Sequence, residues 1–410
     1  MPGIAGLRGT GDWATDERPK NFREFILFRN PNGNTPITAL SSRVQKDSVD
    51  DAEFSWWDEP VDIVRLQVNA AFVAGDTTIT VDSADNSVAN PGNVWGEALH
   101  LKPGDLLLVE PTTDQATLSE EVMEVVSIIS ATSFTVKRGA SGTTAASISD
   151  NDFLFLIGSV YAEGTGAPKA TSRNPTKYTN FTQIFKTTYE LTGTAVQTKT
   201  RTGDPVQNDR RRKAFDHARQ IELAMLWGQK SETTGDNGKP KRTMDGLRKF
   251  IPASNVTIFS GTTTMSLFLD AVAPVFDFDS PAGDTRMLFC GNTFLNNLNK
   301  MVQKDAAVRM DMGDRISLFG MNFREYIMPQ GRVLLKTHPL MNRHGLYQNA
   351  AFIIDFSSIR YRPMKNRDTK FMDNIQNKDE DLRRGQWMTE MGIEVRFGGL
   401  TNGYLANITP

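Results

Sequence analysis

The sequence predicts an α+β protein in which a small all-β module interrupts a larger body of helices and sheets. Three observations carry this. Residues 205–227 form one long helical pattern with start and stop signals. Residues 68–158 carry short apolar runs cut by Gly-, Pro- and Ser-containing turns, the pattern of a small barrel or sandwich. Beyond residue 260, strands and amphipathic helices are interspersed.

Taken in order, residues 1–35 are an N-terminal arm rich in Gly, Thr, Asp, Asn and Pro, with an apolar interruption that includes Phe25 and Phe28. Two readings stand: a frayed terminus, or a strap whose two rings bury on a neighbouring copy. Residues 36–67 give a short helix opened by Pro36 and Ile37, then an extended strand in which Glu53–Asp58 and Val61–Leu66 alternate polar and apolar. Trp56 and Trp57 carry much apolar area, so both are expected in a contact between copies.

In 68–158, Thr77–Val81 is a strand. The turn Lys102-Pro103-Gly104-Asp105 leads into Leu106–Val109. Glu121–Val126 and Phe134–Arg138 make a hairpin, and Phe153–Ile157 closes the unit. Residues 159–203 return as extended chain. Its Thr-rich Phe185–Leu191 stretch is expected to pair with the strand before the module, which places the module at a ribbon's tip.

In 204–259, Asp204 caps the long helix, Pro205 takes its first position and Gln207 completes a capping box. Ala214, Ala218, Ile221 and Met225 form its apolar stripe, and Gly228 stops it. At 1.5 Å per residue it is about 35 Å long. Residues 229–243 read as a polar loop. In 260–374, helices at 262–273 and after Asn292 accompany strands at Met287–Cys290, Phe323–Ile327, Arg332–Leu335 and Ala351–Ile354, before a charged connector at 364–381. In 375–410, Trp387–Phe397 alternates as a long half-buried strand and a short tail follows.

The 410 residues are ample for a sizeable core, and a net charge of −2 gives no global basic field to drive nucleic-acid binding. One cysteine allows no intramolecular disulfide. No apolar run reaches the ~20 residues of a membrane span, and no charged-then-apolar leader opens the chain; no membrane association is expected.

The candidate sites are weak. Arg210, Arg211, Arg212 and Lys213 could meet phosphates, but four consecutive helical residues point to all sides, so a solvated or ion-paired face is the competing reading. His338 and His344 lack metal-ligand spacing. Gly164–Lys169 lacks the Gly-Lys-Ser/Thr ending of a phosphate loop. Cys290 reads as a buried thiol. Glu120-Glu121 and Asp311 with Asp314 read as solvated carboxylates, and the Met301–Met328 methionines as packing. No catalytic, cofactor or metal residue is assigned. A large chain without chemistry is made of surfaces, which points to assembly.

The order of parts resembles the tailed-bacteriophage major capsid proteins, whose fold is shared with herpesvirus capsid floors and encapsulins. Lys102–Asp105, Glu121 through Thr143, Ala214–Glu222 with Leu226-Trp227-Gly228, and Trp387–Phe397 with its glycine-rich tail are similar to the subgroup with a β insertion in its extended loop. The resemblance implies a peripheral domain (36–67, 204–259 and 375–410), an axial domain (260–374), an extended loop (46–67 and 159–203) lapping a neighbour, and an inserted domain (68–158) at its tip. It further implies hexamers and pentamers of the chain closing an icosahedral shell, assembled in the host cytoplasm, around double-stranded DNA. Scaffolding, portal and decoration proteins are the further partners it implies. An encapsulin-like compartment shell is the alternative within the fold. An adhesin or carbohydrate-binding protein using 68–158 is the alternative outside it.

Overall fold

The computed structural model describes residues 37, 46–59, 65–83, 96–110, 121–168, 170, 175–200, 203–304, 316–318, 321–343 and 345–410. Phe25 and Phe28 lie outside them, as do His344, Asp311 and Asp314.

Strand β1 (Glu53–Asp58) pairs antiparallel with β8 (Thr176–Phe181), from Glu53↔Phe181 to Asp58↔Thr176. The ribbon's return strand is therefore 176–181, and the inserted module lies between its two strands in sequence. The module consists of β2 (Arg65–Gln67), β3 (Thr78–Thr80), β4 (Asp105–Val109), β5 (Val122–Ser130), β6 (Ser133–Ala140) and β7 (Phe153–Ser159), ordered β2-β7-β4-β5-β6-β3. Its two end strands meet through a Val68↔Val81 bridge, flanked by hydrogen bonds from Asp82 N to Gln67 O (2.9 Å) and Asn69 N to Thr80 O (3.2 Å). The sheet therefore closes into a barrel, which removes its edges. Leu66, Ile79, Leu107, Met123, Phe134 and Leu154 fill it at 0% exposure. Each contributes about 1.5–3 kcal/mol of burial free energy. At the Lys102–Asp105 turn, Gly104 has φ 94° and Asp105 Oδ2 accepts from Lys102 N at 2.7 Å.

The peripheral sheet is built on the long strand β20 (Leu382–Val395). On one side β20 pairs with β9 (Gln183–Thr192); on the other it pairs with β18 (Ile359–Pro363) and β19 (Lys370–Met372). After a single-turn helix α1 (Gly193–Gln197), the long helix α2 (Pro205–Trp227) packs on β9 and β20. Asp204 Oδ1 accepts from Val206 N at 2.9 Å, and Pro205 opens the helix. The polar segment after it is a hairpin, β10 (Ser231–Thr234) with β11 (Pro240–Thr243), rather than a loop; a short helix α3 (Leu247–Phe250) follows. Gly228 does end α2, but its φ of −54° is not left-handed. Glycine is needed there because a Cβ would lie 2.5 Å from the Met244 carbonyl oxygen.

The axial sheet has seven strands: β12 (Val256–Ile258), β13 (Thr285–Cys290), β14 (Ile316–Leu318), β15 (Met321–Met328), β16 (Gly331–Thr337), β17 (Ala350–Ile354) and β21 (Gly403–Ala406), in the order β12-β21-β17-β13-β16-β15-β14. Alternation splits its side chains between two cores. Phe289, Phe352, Leu334 and Tyr404 join α2 and the peripheral sheet. Leu288, Cys290, Ile353 and Leu405 face helices α4 (Met265–Val272) and α5 (Asn292–Lys304). Thr264 caps α4, and the first amide of α5 is satisfied by Asn342 Oδ1 at 2.6 Å.

Three expectations about boundaries need correction. Phe185–Leu191 is not part of the ribbon: β9 runs along β20, and Phe185, Thr187 and Tyr189 alternate inward, towards α2. The axial unit stops near Asp355 rather than at 374, because β18 and β19 belong to the peripheral sheet. The tail crosses back, since β21 pairs with β17 and β12. Each short segment read plausibly alone; only strand pairing, which is non-local, decides which sheet takes it.

Candidate assembly surfaces

The root of the ribbon docks on its own subunit. Trp56 is 7% exposed and its Nε1 donates to Val395 O at 3.0 Å. Its ring lies 5.9 Å from Tyr178, 6.0 Å from Phe54 and 5.7 Å from Phe250. Gly398 N donates to Asp58 Oδ2 at 2.8 Å, and burial pushes the Asp58 carboxyl up, against that hydrogen bond. Gly392 lies under Phe54, where a Cβ would come 2.6 Å from the ring and 2.7 Å from Phe181 O. Trp56 is therefore an intrachain anchor and not a contact between copies. Trp57, one residue on, is 60% exposed with the Lys177 ammonium 5.7 Å from its ring centre. The signal was in the sequence: neighbouring residues of a strand point to opposite faces, so the pair could not share one contact.

The basic cluster divides as its helical spacing requires. The Arg210 guanidinium sits 4.0 Å from the centre of the Phe371 ring, and Trp387 Nε1 donates to Arg210 O at 3.4 Å. Arg212 approaches Asp209 at 3.8 Å. Arg211 is exposed and Lys213 half-buried. Arg210 thus clamps the helix to the peripheral sheet by cation–π stacking.

The buried polar groups went unseen in the sequence. Glu222, on the inner face of α2, accepts from Ile37 N at 2.9 Å and meets His338 Nε2 at 2.8 Å, both side chains fully buried. His338 is thus a core partner of a carboxylate. His217 lies between two hydroxyls, Thr187 Oγ1 at 3.1 Å and Thr389 Oγ1 at 2.8 Å, and burial lowers its pKa. In the barrel, Glu121 is not solvated. Its oxygens accept from Arg138 Nε (2.7 Å) and Nη2 (2.6 Å), Gly139 N (2.9 Å) and Ala146 N (3.0 Å). Burial alone would raise its pKa, but these donors outweigh it and hold the carboxyl below the usual range. No periodic pattern announces such partners, because each pair joins distant segments.

The Cys290 thiol is fully buried and pushed up to about 12 by desolvation, so it is not a nucleophile. Among the described residues, no three His, Cys, Asp or Glu side chains converge on a metal position, and no helix is long and apolar enough to cross a membrane.

Two sheets share one core, a long helix lies across them, and a closed barrel interrupts the ribbon. The chain belongs to the SU10 major capsid protein family, which matches residues 8–409. It is 26% identical over 412 residues to the major capsid protein of Pseudomonas phage PaMx41, covering 98% of this chain and 92% of that one. Among solved structures, it is similar to the capsid of a native GTA particle (11% identity, TM-score 0.47, 96% of each chain). It is also similar to the capsid of Myoviridae phage XM1 (8% identity, TM-score 0.44, 95% of this chain and 97% of that one). An encapsulin of Synechococcus elongatus is similar over 57% of this chain and 76% of its own, with 10% identity and a TM-score of 0.41. Family membership sets aside the adhesin alternative: the chain's work is to build the wall of a tailed-phage capsid.

Proposed function

We propose that this chain is the non-catalytic wall unit of a phage head, closing as hexamers and pentamers into an icosahedral shell around double-stranded DNA, with assembly in the host cytoplasm. The observation that carries this is the family match over residues 8–409, together with buried carboxylates, Glu222 and Glu121, that pair within the subunit. The exposed indole of Trp57 is the ribbon's contact with a neighbour, and Phe25 and Phe28 of the arm are further contacts. Arg211, with the exposed part of Arg212, meets packaged DNA through phosphate charge without reading sequence. Scaffolding, portal and decoration proteins are the remaining partners. Electron microscopy of particles from cells expressing the full chain tests this reading. Closed shells with five-fold vertices are expected; a monodisperse monomer at all concentrations overturns it. Nuclease-protected DNA in phage particles tests the cargo.

A further inference from the structure

The outward face of the ribbon is covered at one end and open at the other. Directly opposed residues of a strand pair share a face, so Glu53 with Phe181, Ser55 with Thr179, and Trp57 with Lys177 all lie on the side away from Phe54 and Trp56. At the root the chain's own β10–β11 hairpin seats on this side. Lys230 Nζ lies 3.3 Å from Glu53 Oε1, donates to Thr179 Oγ1 at 2.6 Å and stands 4.4 Å from the centre of the Phe181 ring. The Arg242 guanidinium is 5.9 Å from the same ring, and Phe181 is buried. Coverage stops there. Trp57 and Lys177 are exposed, and so are all four residues of β10 and, past the hairpin turn, Lys239 and Lys241. A lone two-stranded hairpin is marginal in water, and this one rests on the ribbon only at its base. Ribbon face and hairpin together form a step that carries exposed cations and one exposed indole.

The net charge of −2 conceals a segregation along the chain. Residues 68–158 hold twelve acidic and three basic residues, a net −9. Residues 159–259, which include the return strand, α2 and the hairpin, hold nine acidic and seventeen basic, a net +8. Inside the barrel Arg65 pairs with Glu110 and Arg138 with Glu121. Among the described residues no ion pair joins the barrel to the body of its own copy. Two such barrels repel each other, and a barrel repels DNA. The complementary partner is a cationic protein surface, and every copy that brings an acidic barrel also brings one cationic step.

We propose that the step carrying Trp57, Lys177, Lys239 and Lys241 receives the acidic barrel of a second copy. The proposal rests on the self-assembly reading and deepens it, because it names the part of the neighbour that meets Trp57. Barrel on step is a contact between two different surfaces, which repeats head to tail and closes into a ring. Charge complementarity sets its orientation and speeds encounter, and the indole adds apolar area that salt does not screen.

The test uses the full native chain. Dispersed subunits grown with ordinary and with heavy nitrogen are mixed, assembled without DNA, and treated with a carbodiimide, which joins a carboxylate to a lysine amine only where the two already touch. Mass spectrometry of the shells should find peptides of 68–158 joined to peptides holding Lys177, Lys239 or Lys241, with one partner of each isotope. Intact shells in which these links are missing, or join peptides of one isotope only, overturn the proposal while leaving shell assembly standing. Failure of the native chain to form shells removes the underlying reading as well. As a second measurement, Lys239→Glu combined with Lys241→Glu sets like charge against the incoming barrel. Both side chains are exposed, so the melting temperature of the dispersed chain should stay unchanged, while shell yield without DNA falls at least about tenfold. Normal yield from this variant overturns the proposal. So does a defect that appears only when DNA is present, which would assign the step to DNA.

Discussion

Replacing Glu121 with Ala should unfold the barrel selectively. The carboxylate is 2% exposed and accepts four hydrogen bonds, two from the Arg138 guanidinium and two from the amides of Gly139 and Ala146. Arg138 also donates to Val73 O at 3.0 Å and Asp76 O at 3.2 Å, so one ion pair ties three turns of the barrel together. Removing the acid leaves the guanidinium, whose side chain is 6% exposed, without a counter-charge and leaves two amides without acceptors. Breaking a buried pair from one side costs about 3–5 kcal/mol. Against a domain stability of about 5–15 kcal/mol, that is a large fraction. Hydrogen exchange on the full chain is the assay. Protection in β4, β5 and β6 should fall by at least two orders of magnitude, roughly 3 kcal/mol, while β9 and β20 keep theirs. An unchanged exchange pattern would show that the pair is inert and that burial has been misread as energy. The pH dependence gives an independent sign. A carboxyl held below its unfolded value of about 4.3 contributes stability that is present above that pH and lost as pH falls through the folded value. The native barrel should therefore soften in acid below the ordinary carboxylate range, and Glu121→Gln should flatten that slope.

Three further outcomes follow from the same geometry. His217, buried between two threonine hydroxyls with its pKa lowered by desolvation, contributes stability that is complete above its unfolded value of about 6.5 and declines as pH drops from there towards the folded value. His217→Gln should flatten the urea-midpoint profile as pH falls below about 6.5; an unaltered slope would place the titrating group elsewhere. Gly392→Ala puts a methyl 2.6 Å from the Phe54 ring and 2.7 Å from the Phe181 carbonyl. It should cost about 1–3 kcal/mol by overpacking and speed proteolysis at the ribbon; full resistance would mean that the root has slack. Trp57→Ser should leave the melting temperature within about one degree, since a surface change is usually worth under 0.5 kcal/mol, but reduce shell yield in sedimentation; normal yield would remove Trp57 from the contact.

What was legible in the sequence was what local physics determines. The 205–227 helix was readable because Asp204, Pro205 and the Ile221–Met225 stripe act within one or two turns. The barrel was readable because its strands alternate every two residues and its turns carry Gly and Pro at their bends. Allegiance between sheets was not readable. Phe185–Leu191 has the same β-branched and aromatic character as the strand it was expected to join, Tyr404–Ala406 read only as a tail, and nothing local reports that β20 and β17 lie beside them. The buried acids and histidines were hidden for the same reason: Glu222 and His338 are 116 residues apart, and only the fold makes them neighbours.

The ribbon divides its side chains between its own subunit and the outside. An extended hairpin of two strands is marginal in water and needs a surface to pack on. Had both tryptophans faced outward, that surface could come only from a neighbour, and the free subunit would carry a large exposed aromatic patch. The structure divides the task by strand parity. Phe54 and Trp56 alternate inward onto Tyr178, Phe250 and the closing strand. Ser55 and Trp57 alternate outward. The inward set fixes the direction in which the ribbon leaves the body before any partner arrives, so less ordering entropy remains to be lost on assembly. With Trp57 in its proposed role at a neighbour, the outward set then needs to supply only recognition. A shell contact built this way can be weak in each copy and still specific, because its geometry is set inside the subunit and its strength comes from repetition.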